Sequence, residues 1–148
     1  MNRGEISMEN HFKGSCLCGK VTYDCNAEPL VKAVCHCTDC QKQTSSAFSV
    51  VIGVPKIKFK VNGDTVKNIP ITTDTGNTKR YSFCSECGSH LFSNIEHENY
   101  NEITFIKAGS LDQPALTDIT PDIEVFTESK VAWANCENLS ASFSKNPE

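Results

Sequence analysis

The chain has 148 residues, 39% hydrophobic and 22% charged, which fits one globular domain able to bury a core without disulfides and excludes a disordered chain. Fourteen Lys and Arg against 18 Asp and Glu give a formal net charge of -4, and no basic block is present, so no nucleic-acid partner is expected. The longest apolar run, Val50-Val51-Ile52-Gly53-Val54, is too short to cross a bilayer, and residues 1–10 lack the apolar stretch of a secretory signal. No membrane partner and a cytoplasmic location are therefore expected.

In chain order, residues 1–13 are expected as a flexible N-terminal segment, residues 14–137 as a single zinc-binding β domain, and residues 138–148 as a polar C-terminal tail. Val21-Thr22-Tyr23-Asp24-Cys25 alternates, placing Val21, Tyr23 and Cys25 on one strand face. After Cys37, Thr38-Asp39-Cys40-Gln41-Lys42 is the best candidate for a short helical turn. Phe48-Ser49-Val50-Val51-Ile52 is rich in β-branched residues and reads as a strand. Ile57, Phe59 and Val61 alternate with Lys56, Lys58 and Lys60, a solvated strand face, and Asn62-Gly63 follows as a turn. Arg80-Tyr81-Ser82-Phe83, His90 to Ile95, Ile103 to Ile106 and Ile123 to Phe126 complete the strands. The fold class is mainly β, with metal ligands on the turns.

Nine cysteines are many for this length, and in a reducing compartment they point to metal binding or catalysis rather than disulfides. Seven fall in three groups: Cys16-Leu17-Cys18, Cys35-His36-Cys37-Thr38-Asp39-Cys40, and Cys84-Ser85-Glu86-Cys87. Gly19 and Gly88 follow the outer pairs, where a turning backbone needs positive φ. Zinc bound by thiolates wants a tetrahedral shell, so two distant pairs supply four ligands and a triplet supplies three with one position open. One division gives Cys16, Cys18, Cys84 and Cys87 a closed structural site and Cys35, Cys37 and Cys40 an open catalytic one. Spacing also permits Cys37 and Cys40 with Cys84 and Cys87, as in a zinc ribbon, leaving Cys16, Cys18 and Cys35 over. Zinc loading of seven thiolates would move the formal charge from -4 to about -7. Lys42 and Arg80, near the clusters in sequence, are the candidate basic groups for an acidic substrate. His36 is a candidate ligand or proton shuttle, and His90 a residue packing near the second pair. Cys25 and Cys136 read as packing thiols, and His11 and His97 as surface residues.

Gly14-Ser15-Cys16-Leu17-Cys18-Gly19-Lys20-Val21, Cys35 through Lys42, and Phe83-Cys84-Ser85-Glu86-Cys87-Gly88-Ser89 resemble the family of glutathione-dependent formaldehyde-activating enzymes and centromere protein V. Gly109-Ser110-Leu111-Asp112 and Trp133 extend the resemblance, which runs from about Gly14 to Trp133. It implies an Mss4-like fold of coiled antiparallel β-sheets and the division into four ligands plus three. It further implies carbon–sulfur lyase chemistry, the reversible condensation of glutathione with formaldehyde, with a small thiol or thiol–aldehyde adduct as partner. One departure borders the triplet: many relatives carry Gly where Ser45 follows Gln43-Thr44. The open triplet suggests an enzyme on a thiol adduct, and the centromere branch suggests instead a zinc-stabilised binding module. A redox or metal-buffering role for the thiolates ranks last.

Overall fold

The computed structural model describes residues 11–146. Among the described residues, eleven strands form two sheets. The smaller joins β1 (His11–Ser15), β2 (Thr22–Asn26) and β5 (Phe59–Asn62) in the order β1-β2-β5. The larger uses β3 (Val31–Cys35), β4 (Ser49–Pro55), β6 (Val66–Thr72), β7 (Thr78–Cys84), β8 (His90–Glu96), β9 (Ile103–Lys107), β10 (Ile123–Val125) and β11 (Ala141–Ser142). Its order is β11-β10-β3-β4-β9-β8-β7-β6. Helix α1 (Thr38–Thr44) links β3 to β4, and α2 (Ala115–Asp118) is a single turn. No helix among the described residues is long and apolar enough to cross a membrane.

The mainly β class is as expected, but the pairing is mixed: β10 runs parallel to both β3 and β11, and the other pairs are antiparallel. Alternation along β2 buries Tyr23 and Cys25, which face Ile52 and Val54 of β4 and Ile106 of β9 across the two sheets. Each fully buried aliphatic side chain here contributes about 2 kcal/mol of hydrophobic stabilisation. Phe59 ties the sheets together, with ring centroids 5.2 Å from Tyr23 and 4.7 Å from Phe92. Gly14 is required because a Cβ there would collide with the Tyr23 ring, whose hydroxyl bonds the Ser110 hydroxyl at 2.6 Å.

Both terminal expectations shift. Residues 11–13 belong to β1, with Phe12 buried, because β2 supplies a full antiparallel partner from His11↔Asn26 to Ser15↔Thr22. In the tail, Ala141 and Ser142 form β11, and the Phe143 amide donates to the Glu124 carbonyl. Residues 1–10 and 147–148 lie outside the described residues. Ile57, expected on a strand with Phe59 and Val61, instead sits in a 3-10 turn (Lys56–Lys58) and is 79% exposed.

Candidate metal centres and the cavity beside one of them

The outer cysteine pairs meet. The β1–β2 loop, the end of β7 and the β7–β8 loop bring the sulfurs of Cys16, Cys18, Cys84 and Cys87 within 4.8 Å of one another. Cys16 Sγ is 3.6 Å from Cys18 Sγ, which is 3.8 Å from Cys84 Sγ. A zinc–thiolate tetrahedron places its sulfurs about 3.8 Å apart, so the donor set fits that ion. Each loop turns through a glycine at positive φ, Gly19 at 83° and Gly88 at 79°, as the sequence predicts. The Val21 amide donates to Cys16 Sγ at 3.3 Å, and the hydroxyls of Thr65 and Ser89 approach Cys84 and Cys87 at 3.3 Å. The Ser89 hydroxyl also accepts from the Leu17 amide at 2.9 Å, joining the loops. Hydrogen bonds from Ser89 draw the Cys87 thiol down to about 5, toward the thiolate that a metal needs.

The second group forms where β3 enters α1. Cys35 ends the strand, Cys37 caps the helix by accepting from the Cys40 amide at 3.2 Å, and Cys40 lies in the first turn. Their three sulfurs also fall within 4.8 Å. Hydrogen bonds with Cys37 and Cys40, then burial, push the Cys35 thiol far up. Hydrogen bonds from Cys35 and Cys37, aided by the ammonium groups of Lys79 and Lys107, pull Cys40 far down. Three crowded sulfurs without a cation therefore share protons, and a divalent ion would relieve that competition. Gln41 anchors the helix by donating to the carbonyls of Ala47 and Ser129 at 3.2 and 3.0 Å. The geometry gathers the four-plus-three set, and the ribbon-like pairing of Cys37 and Cys40 with Cys84 and Cys87 does not form.

His36 turns away from the triplet, contrary to its expected part as ligand or proton shuttle. Neighbours on an extended strand point to opposite faces, and its fully buried ring directs Nε2 to Glu124 Oε1 at 2.9 Å. Glu124 also takes Lys130 at 3.1 Å and the Ser142 hydroxyl at 2.7 Å. Burial opposes its ionisation, but Ser142, Lys130 and His36 together hold its carboxyl below the usual value. Cys136, read as a packing thiol, lies with His36 and Glu124 in this cluster. Cys25 is the core thiol expected, pushed up to about 11 by burial.

Beside the triplet opens a cavity of about 640 Å³, lined by Cys35, Cys37 and Cys40 at one place and by the face of the large sheet elsewhere. Neither Lys42 nor Arg80 reaches it. Lys42 is exposed on α1, and Arg80 faces outward to Glu96 at 2.6 Å and Asn68 at 3.2 Å. The basic groups acting on the triplet are Lys79, on the cavity wall and 5.1 Å above the Tyr81 ring, and buried Lys107, which donates to the Ser49 hydroxyl at 3.0 Å. Period-two alternation cannot tell which of Lys79 and Arg80 faces inward until the strand's partners are known, and Lys107 lies one residue past the strand expected over Ile103 to Ile106. His90 Nδ1 accepts from the Gln43 side-chain amide at 2.6 Å rather than joining a metal group, His11 lies 4.0 Å from Asp24, and His97 accepts from the Asn99 amide at 3.0 Å. Trp133 is 74% exposed.

Residues 11–129 match the sequence model of the family described as glutathione-dependent formaldehyde-activating enzyme. The chain belongs to this family. Proteins of Aspergillus flavus and Aspergillus oryzae named "putative glutathione-dependent formaldehyde-activating enzyme" are 34% identical over 119 residues, covering 76% of this chain and 61% of theirs. One of Emericella nidulans with the same name is 34% identical over 84 residues, 57% of this chain and 42% of its own. The chain thus spans about three fifths of the length of the first two. Ser45 closes α1 in the left-handed region at φ 54°, where glycine carries no Cβ penalty.

Proposed function

We propose that this chain is a zinc-dependent enzyme of the carbon–sulfur lyase type, making and breaking a thiol–aldehyde adduct as S-(hydroxymethyl)glutathione synthase does. The observation that supports it is the contrast in access: the triplet faces a cavity, while the four-cysteine group has a complete shell between two loops. Cys16, Cys18, Cys84 and Cys87 would hold a structural zinc, and Cys35, Cys37 and Cys40 a second with one position free. Bound there, zinc supplies a Lewis acid that acidifies a thiol and polarises a carbonyl near neutral pH.

The remaining work falls to the chain. Cys35 is fixed by the β3 ladder and Cys37 and Cys40 by the first turn of α1, so the metal-holding sulfurs are set before substrate arrives. Lys79, on the wall, would stabilise negative charge developing on the aldehyde oxygen, and Lys107 would offset charge on the thiolates. In the forward direction the thiol sulfur bonds to the carbonyl carbon and the thiol proton ends on the carbonyl oxygen. Glutathione and formaldehyde are the pair that the family description names, and a reducing, cytoplasmic setting suits seven thiolates.

The test is zinc per chain together with exchange NMR of the glutathione–formaldehyde adduct, in wild type and Cys40→Ser. Two zinc ions falling to one, with the fold kept and the acceleration lost, supports the reading. Full turnover in the variant would sink it.

A further inference from the structure

The cavity floor is one face of the large sheet, fixed by register. Ala33 pairs with both Val51 and Ile123, and Val125 pairs with Cys35, so this apolar row lies on the same face as the first triplet sulfur. Phe105 and Ile95 continue it across β9 and β8. Its charged groups are Lys79 and Lys145 against Asp39, Asp74 and Glu128, which leaves no positive surplus. A zinc-loaded triplet would add a further formal charge of about -1.

The pair the family description names leaves the apolar part of that lining uncovered. Formaldehyde adds a single polar carbon. Glutathione brings two carboxylates, one ammonium and no apolar side chain to cover Val51, Phe105 or Ile123. A concave apolar surface continuous with a reactive centre is the mark of an apolar ligand group. We propose that the adduct handled here is a thiohemiacetal whose carbonyl-derived part is an apolar chain or ring, laid along this floor with its sulfur at Cys35, Cys37 and Cys40. This rests on the reaction proposed above and names its aldehyde class. Addition joins sulfur to the carbonyl carbon and carries the thiol proton to the carbonyl oxygen, and reversal releases both, so no oxidant or reductant is needed.

The experiment uses the full zinc-loaded chain with glutathione and, in turn, formaldehyde, propanal, butanal, pentanal and hexanal, reading kcat/KM above the uncatalysed rate. From propanal onward each added methylene is expected to raise kcat/KM about fourfold. Rates highest with formaldehyde and flat or falling along the series overturn the inference and leave the reaction standing. Acceleration of no aldehyde overturns the reaction, and a second arm then decides the inference by itself: calorimetric titration of propanethiol, butanethiol and hexanethiol. Dissociation constants falling about fourfold per methylene support an apolar site at the triplet, and equal constants overturn it. Val51→Thr, which exchanges a methyl for a hydroxyl at similar size, is expected to flatten both series. An unchanged slope in that variant places the chain elsewhere and overturns the assignment.

Discussion

At the four-cysteine group, sulfurs from two segments far apart in sequence are held by amide and hydroxyl donors and gather closely around one another. At the triplet, the sulfurs come from one strand end and one helix turn, two lysines act on them, and a cavity begins where their own shell is incomplete. The first arrangement can only tie segments together, because all its ligands close on each other. With zinc bound as proposed, the second would leave the ion a free side and give whatever binds there a wall to lie on. Ligand count and access, not cysteine chemistry as such, separate a staple from a reactive centre.

The sharpest way to break this comparison is to remove one sulfur from each. Cys84→Ser is expected to cost on the order of 5 kcal/mol or more, since structural zinc sites contribute about 10–16 kcal/mol to folding and native domains have little more than that to lose. The variant should unfold or lose its cooperative thermal transition by circular dichroism. Cys40→Ser is expected to keep that transition while its adduct exchange falls by about a hundredfold or more. Equal loss of folding in both variants would erase the distinction. Next in size, Lys79→Met should lower kcat by roughly tenfold with zinc content unchanged, because a charge-stabilising donor is lost while no ligand is. An unaltered kcat would remove Lys79 from the mechanism.

How much of this contrast could be read in advance follows the range of the interactions. The three cysteine groups are local, and so are the positive-φ glycines after the outer two, so the groups and those turns were legible from spacing, whereas spacing left their division into four and three open. Strands β2 and β5 were legible through alternation and β4 through its β-branched residues, and β7, β8, β9 and β10 as apolar or aromatic runs between turns. Strand β6 was not, because it is an exposed edge that carries Lys67 and Pro70, residues that guard an edge and hide the strand pattern. Strands β1 and β11 were hidden because they depend on a partner rather than on their own composition. The cavity, Lys79 and Lys107 depend on register accumulated across β3, β4, β9, β8 and β7, which no local pattern carries.

The support behind the triplet gives a smaller test. Glu124→Gln keeps the shape of the His36, Lys130 and Ser142 cluster but removes its charge, and is expected to cost about 2 kcal/mol in urea unfolding at pH 7. The sign of its pH dependence follows from the carboxyl's lowered pKa. A carboxylate held below its ordinary 4.5 contributes fully above that pH and loses its contribution as pH falls through the folded value. The stability gap between wild type and Glu124→Gln should therefore narrow below about pH 4.5. A gap that widens on acidification would mean that the cluster is held by something other than the Glu124 charge.

The smallest effect tests the end of α1. Ser45 adopts φ 54° and ψ 38°, and its amide donates back to the Lys42 carbonyl, so the helix closes through a left-handed residue that carries a Cβ. That conformation costs a non-glycine residue about 1 kcal/mol, whereas glycine takes it freely but loses more entropy on folding. Ser45→Gly is thus expected to raise stability by about 0.5 to 1 kcal/mol, visible as a small rise in Tm. Because Ser45 ends the helix whose first turn holds Cys40, the same variant asks whether the triplet needs a stiff mount. Stabilisation with unchanged exchange rates would make the left-handed closure a structural matter alone. A faster or slower exchange at unchanged zinc content would show that the helix end reaches the reacting sulfur through the geometry of Cys40.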